Sequence, residues 1–280
     1  MLSYILMRKN DPICALSMTE EGAIIKYYQE RMNMELAPLT YKKETRWIAS
    51  WWNDRSVPIT QGHVLRMLRE KGYSGASEYL FKNLGLSLTD YYWLRPADSN
   101  LKWEDVNLFD NDFKEDLLIK MDENSGYTGN GSFKSLTPNS TLKGQIEKSW
   151  QIRKGKRLLV KGNTDDSSVE SLNECFASLL HEKQGYDNYT KYNLLRIKNK
   201  PYDFGCYSEL FASQEKELVS AWDVLTSKKK PGHLNDYEHF IEVCGEHGID
   251  TIQLRKDLEY QIMTDFIMCQ KDRHFNQFFT

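Results

Sequence analysis

Lys156-Arg157-Leu158-Leu159-Val160-Lys161-Gly162, preceded by Gln145–Trp150 and followed by Ser168–His181, is the stretch on which the fold turns. Gln145–Trp150 and Lys156–Lys161 alternate like half-buried strands, and Lys154-Gly155 between them suits a hairpin turn. From Ser168 to His181, Val169, Leu172, Phe176 and Leu179 or Leu180 recur at helical spacing, which predicts one apolar face turned to a core. Tyr192–Ile197 and Cys206–Phe211 then read as a second hairpin across Asn199-Lys200-Pro201. Two strands, a helix, two more strands and closing helices form an α+β order.

Working outward, Tyr4-Ile5-Leu6-Met7 and Ile13-Cys14-Ala15-Leu16 form an expected hairpin around Lys9-Asn10-Asp11-Pro12, with a third strand near Ala23–Tyr28. Thr40 to about Leu84 carries helical periodicity, broken at Pro58 and at Tyr73–Ser77. The aromatic runs Tyr91–Pro96 and Trp103–Phe109 bury too much surface to be linker, so they are expected to seat this region on its neighbour. Asn124–Ser140 is rich in Gly, Ser, Thr and Asn and reads as a flexible boundary. Asp236–Glu246 and Ile252–Cys269 are expected helices, the second with a buried stripe at Leu254, Leu258, Ile262 and Phe266. The expected division is an N-terminal subdomain at 1–123, a core at 124–213 and a helical segment at 214–280.

With 280 residues the chain is long enough for one large domain or two ordinary ones. Its 40% hydrophobic and 28% charged residues exclude a disordered chain. A net charge of −3 argues against an extended nucleic-acid footprint. No apolar run is long enough to span a membrane, and the first residues lack the basic and apolar segments of a secretory signal. Five scattered Cys fit reduced thiols, so a cytoplasmic protein is expected.

Several segments could carry chemistry. Pro138-Asn139-Ser140-Thr141-Leu142-Lys143-Gly144 is a small-residue turn whose backbone N–H groups could meet phosphate oxygens, or a plain surface turn. Lys161 ends an apolar strand, as an edge charge or as a cation for nucleotide phosphates. Glu174 lies on the next helix on a face with Glu170 and Ser178, either turned to Lys161 or facing solvent. Asp272-Arg273-His274-Phe275-Asn276 follows the last helix and suits a phosphoryl-transfer loop. There Asp272 would accept a hydroxyl proton and an amide oxygen would help to hold Mg²⁺; the plainer reading pairs Asp272 with Arg273. Asp203-Phe204-Gly205 sits in a hairpin turn ahead of that loop, the wrong context for a metal-binding triplet. His239, Cys244 and His247 lack a fourth zinc ligand and read as helix-face residues, and Lys228–Lys230 as a solvated loop. Trp47, Trp51 and Trp52 could stack bases, but at helical spacing they read more readily as core.

Taken together these blocks resemble the HipA-like serine/threonine kinase toxins, in a branch common in Gram-positive bacteria. The resemblance rests on Trp51–Pro58, Gly85–Trp93, Trp103–Phe113, Thr137–Lys148, Leu159–Gly162, Asn173–Ser178, Thr264–Ile267 and Asp272–His274, in the expected order along nearly the whole chain. It implies a protein-kinase-like core of HipA type with a small N-terminal α/β subdomain. It also implies ATP and Mg²⁺ as cofactors, transfer to a protein hydroxyl, a translation component as substrate and a helix-turn-helix antitoxin as partner. Ser140, Thr141, Leu142, Lys143 and Gly144 would form the nucleotide loop, with Ser140 or Thr141 open to autophosphorylation. Lys161 would hold phosphates, Glu174 would pair with it, and Asp272 would be the catalytic base. The hinge from Glu209 through Phe211 to Ser213 would meet adenine. The family carries its metal-binding Asn at the position of Gln277, here preceded by Asn276, so these two are the candidate metal ligands. The C-terminal helical lobe is expected to be incomplete, the chain stopping at Thr280 before the family's second metal-binding Asp. A truncated, inactive binding module that joins an antitoxin or a complementary fragment is the alternative expectation.

Overall fold

In a computed structural model, residues 2–28, 33–39, 47–61, 64–115, 136–197 and 203–270 are described. The chain divides into two compact units, Met1–Ala37 with Ile48–Glu217, and Pro38–Trp47 with Leu218–Thr280. The described residues form two antiparallel four-stranded sheets and eight α-helices, a mixed α+β architecture. The boundary expected near 123 and 124 lies outside the described residues.

In the first unit, β1 (Leu2–Arg8) and β2 (Asp11–Met18) make the expected hairpin, and β3 (Ile24–Tyr27) adds to β2. The aromatic run at 91–96 proves to be a strand, β4 (Tyr92–Pro96), which pairs with β1 through Leu6↔Leu94 and Met7↔Trp93. The sheet order is therefore β3-β2-β1-β4. The helical stretch after it resolves into α1 (Trp47–Arg55), α2 (Val64–Glu70) and α3 (Ala76–Lys82). Trp52 is buried and donates its indole N–H to the Gly22 carbonyl at 2.8 Å, so it is core and no base-stacking platform.

One ion pair anchors this half. Arg55, only 6% exposed, donates to both carboxylate oxygens of Asp90 at 2.7 and 2.6 Å and to the Gly85 carbonyl at 2.9 Å. It thus ties the end of α1 to the turn that launches β4. Gly85 adopts φ +64°, and a β-carbon there would come within 2.6 Å of the Trp52 ring, so only glycine fits.

The second sheet has the order β5-β6-β8-β7, from β5 (Lys148–Arg153), β6 (Lys156–Lys161), β7 (Tyr192–Arg196) and β8 (Phe204–Glu209). The first of these strands starts three residues later than Gln145. Lys154 and Gly155 both take positive φ (53° and 75°), a two-residue turn that fixes direct pairing from Arg153↔Lys156 back to Lys148↔Lys161. The short helix α4 (Trp103–Val106) helps to join the two sheets. Trp93, Trp103, Phe109, Trp150 and Ile152 share one core.

The helix between β6 and β7, α5 (Val169–Gln184), reverses an expectation. Val169, Leu172, Phe176 and Leu179 are about half exposed, while Ser171 and Ser178 are buried. Ser171 N–H donates to the Asn163 side chain at 2.9 Å, and Tyr192 N–H donates to Ser178 Oγ at 2.8 Å. The helix approaches its sheet on small hydrogen-bonding residues, and the apolar stripe faces out.

The second unit holds α6 (Ala221–Ser227), α7 (Asp236–Glu246) and α8 (Thr251–Ile267). Ala221, Phe240, Ile241, Cys244 and Leu258 make its core. The expected stripe on α8 is buried only in its first half. Leu258 is 3% exposed and packs in this core, but Ile262 is 50% and Phe266 81% exposed. His239 is buried, with Nε2 donating to the Lys228 carbonyl at 3.2 Å and Nδ1 buried without a hydrogen-bond partner.

Replacing Asp90 with Ala leaves the Arg55 guanidinium buried without its carboxylate. The substitution is expected to cost about 3 kcal/mol, read as a lower urea midpoint for the first unit.

Candidate functional site

Lys161 closes β6, an inner strand, and its side chain is 16% exposed. It bonds Glu174 Oε1 at 2.8 Å and lies 4.2 Å from the centre of the Tyr192 ring. Of the two readings left open for Glu174, the structure takes the inward one: α5 turns it to the sheet together with Ser171 and Ser178. Burial works against the Lys161 charge, but Tyr192 and Glu174 outweigh it and hold the pKa above the ordinary lysine value. Burial also raises the Tyr192 hydroxyl, which is therefore neutral at pH 7. Cys206, the cross-strand partner of Lys161, is pushed up to about 12 by burial and stays a thiol.

A second lysine belongs to this cluster, and the sequence reading missed it. Lys148 opens β5 directly opposite Lys161, so both side chains leave the same face of the sheet. Burial and the like charge on Lys161 pull its pKa from 10.5 down to about 8, with Glu174 opposing. Its signal in the sequence was register: counting back from the Lys154-Gly155 turn places it beside Lys161.

The candidate nucleotide loop is part of the same neighbourhood. Pro138–Thr141 forms a single 3₁₀ turn, with the Thr137 hydroxyl accepting from Asn139 N–H. Asn139 Oδ1 accepts from Trp150 N–H at 2.8 Å, folding the turn against β5. The linker after α1 holds its other side: Val57 N–H donates to the Ser140 carbonyl at 2.9 Å, and Gln61 Nε2 donates to the Gly144 carbonyl at 2.5 Å. Gly144 takes φ +90°, and a β-carbon added there would sit 2.9 Å from Lys148 Nζ. The Ser140 hydroxyl is fully buried, and Thr141 Oγ1 donates to the Pro138 carbonyl at 2.9 Å, so neither is presented for phosphorylation in this arrangement. Leu142 is buried in the shared core, and Lys143 is exposed.

The hinge residues lie elsewhere. Glu209 pairs with Lys156 at 2.6 Å and borders a cavity of about 480 Å³ lined also by Phe109, Arg157, Ala212 and Ser213. That cavity opens at the start of β6, whereas Lys161 stands at its end. Phe211 is 38% exposed and does not line it. Phe204 and Gly205 lie in β8, with Asp203 just before it. Asp272, Asn276 and Gln277 lie outside the described residues. Among the described residues no group of three or more His, Cys, Asp or Glu could hold a metal. None of the described helices is long and apolar enough to cross a membrane.

Comparisons with protein-family models, with curated proteins and with solved structures give no match. The arrangement of side chains, two lysines and one carboxylate beside a glycine turn, can hold an anion.

Replacing Glu174 with Gln removes the carboxylate bonded to Lys161 and is expected to cost about 2 kcal/mol in a denaturation experiment. Lys148 gives a pH signature. Its folded pKa lies below its unfolded one, so its charge penalises folding below about pH 8, and the penalty fades as pH rises towards 10.5. Lys148→Met should therefore be more stable than the wild type at pH 7, and the gap should close by pH 10. Comparing the two proteins cancels the thiols Cys14 and Cys206, whose raised values of about 12 lower stability as pH climbs past 9.

Proposed function

We propose that the chain is a kinase-like phosphotransferase that binds ATP with Mg²⁺ and passes the γ-phosphoryl group to a serine or threonine hydroxyl of a protein. One observation carries the reading: a lysine on an inner strand bonded at 2.8 Å to a glutamate on the helix that follows. In protein kinases such a lysine, held by such a glutamate, grips the nucleotide phosphates. The Gly144 turn beside Lys148 supports it, since a glycine there lets the backbone and the ammonium group approach each other closely.

Under this reading Lys161 binds phosphate oxygens and Glu174 fixes its direction. Backbone N–H groups of Ser140–Gly144 meet the same phosphates, and the backbone at Glu209 to Phe211 meets the base. Asp272 takes the proton of the attacking hydroxyl. Bound Mg²⁺ would neutralise charge on the transferring group, with Asn276 and Gln277 supplying amide oxygens. The HipA-like resemblance extends the proposal to a toxin with a translation component as substrate and a helix-turn-helix antitoxin as partner. A binding module without transfer activity is the second reading. It is favoured by the exposed apolar stripe of α5 at Val169, Leu172, Phe176 and Leu179.

Incubation with labelled ATP, Mg²⁺ and a protein substrate mixture separates the readings. Transfer to a hydroxyl is expected, with Asp272→Asn lowering its rate by about 10²- to 10⁴-fold while nucleotide binding persists. Binding without transfer would leave the second reading, and no ATP binding at millimolar concentration would remove the first.

A further inference from the structure

Lys148 and Lys161 face each other across β5 and β6 with their side chains on one face. Like charges directly opposite destabilise a strand pair, so this juxtaposition needs a compensating anion. Glu174 supplies one carboxylate and spends its hydrogen bond on Lys161. Lys148 has no hydrogen-bond or ion-pair partner of its own among the described residues. Gly144 packs against it: a β-carbon added there would sit 2.9 Å from the ammonium group, so only a glycine lets the turn approach Lys148 this closely. The Gly144 carbonyl is fixed by Gln61, so the turn is held against Lys148.

We infer that Lys148 and Lys161 form a two-lysine subsite for one phosphate group of a polyphosphate, with Lys148 supplying the cation that the protein leaves unneutralised. The inference rests on the reading of this neighbourhood as a phosphate site, and it names the group held and a ligand residue beyond the lysine–glutamate pair. The charged groups acting on Lys148 are Lys161 from β6 and Glu174 from α5, and Tyr192 from β7 and Cys206 from β8 lie against that Lys161–Glu174 pair. Tyr192 and Cys206 are neutral at pH 7, so the cluster carries one net positive charge until an anion arrives. A phosphate dianion sharing both ammonium groups converts that excess into charge-assisted hydrogen bonds.

Calorimetry with pyrophosphate at pH 7, on the full chain and on Lys148→Met and Lys148→Arg, tests this. The wild type should bind. Lys148→Met should bind at least about tenfold more weakly, and Lys148→Arg should stay within a few-fold of the wild type. Thermal unfolding of Lys148→Met at or above the wild-type temperature separates lost binding from lost folding. Sulfate, whose charge is constant across the range, gives the pH arm: wild-type affinity should fall between pH 7 and 9.5, and that of Lys148→Arg should not. No pyrophosphate binding by the wild type, undiminished binding by Lys148→Met, or a flat sulfate profile would each overturn the inference. Competition with ATP keeps the two proposals apart. If ATP fails to displace pyrophosphate, the nucleotide reading falls and the subsite stands. If ATP binds wild type and Lys148→Met equally, the reverse holds.

Discussion

A buried ammonium group must meet negative charge or give up its proton, and Lys161 meets Glu174. Everything about α5 follows from that demand. To bring Glu174 to the end of β6 the helix must present the face that also carries Ser171 and Ser178. Those small residues allow close approach and satisfy backbone groups at the sheet end. The opposite face, with Val169, Leu172, Phe176 and Leu179, is then turned to solvent by geometry alone. Glu174 and the four apolar side chains thus occupy opposite faces of one helix.

The first sheet obeys the same rule with different residues. Arg55 is buried at the end of α1, and Asp90 accepts from it with both oxygens. That fixes the linker after α1, and the linker in turn holds the 138–144 turn through Val57 and Gln61. A segment rich in Ser, Thr and Asn is therefore ordered at its C-terminal end, where its polar side chains serve as caps: Thr137 to Asn139, and Asn139 to Trp150. The N-terminal half of the chain bears on the candidate site by supporting its loop.

Strands and turns were the legible part of the sequence. The Lys154-Gly155 pair and the alternation around it announce a hairpin, because few residue pairs tolerate two successive positive φ values. The limits of β5 were not legible, since turn geometry and not the apolar pattern sets them. Tyr91–Pro96 reads as a buried aromatic run, but its pairing with β1, some 85 residues earlier, is a long-range event without a local signal. Periodicity misled on α5 and on the second half of α8, where apolar spacing marks a helix face without saying that anything covers it. Lys161 and Glu174 could be named as partners because a strand lysine and a helix glutamate are chemically suited. Lys148 escaped notice because it looks like one more surface charge until register places it opposite Lys161.

That placement is a conflict between local and global preference, and such conflicts are informative. A fold selected for stability alone would put a polar or apolar residue opposite Lys161, relieving a repulsion that depresses the Lys148 pKa to about 8. Sequences usually agree with their structures at every level, and the exceptions gather where something other than the chain completes the balance. Here the imbalance is one positive charge, held rigid by two strands and a pinned turn. Under the proposed reading a phosphate anion cancels it, and Glu174, bonded to Lys161 at 2.8 Å, fixes the direction of that lysine.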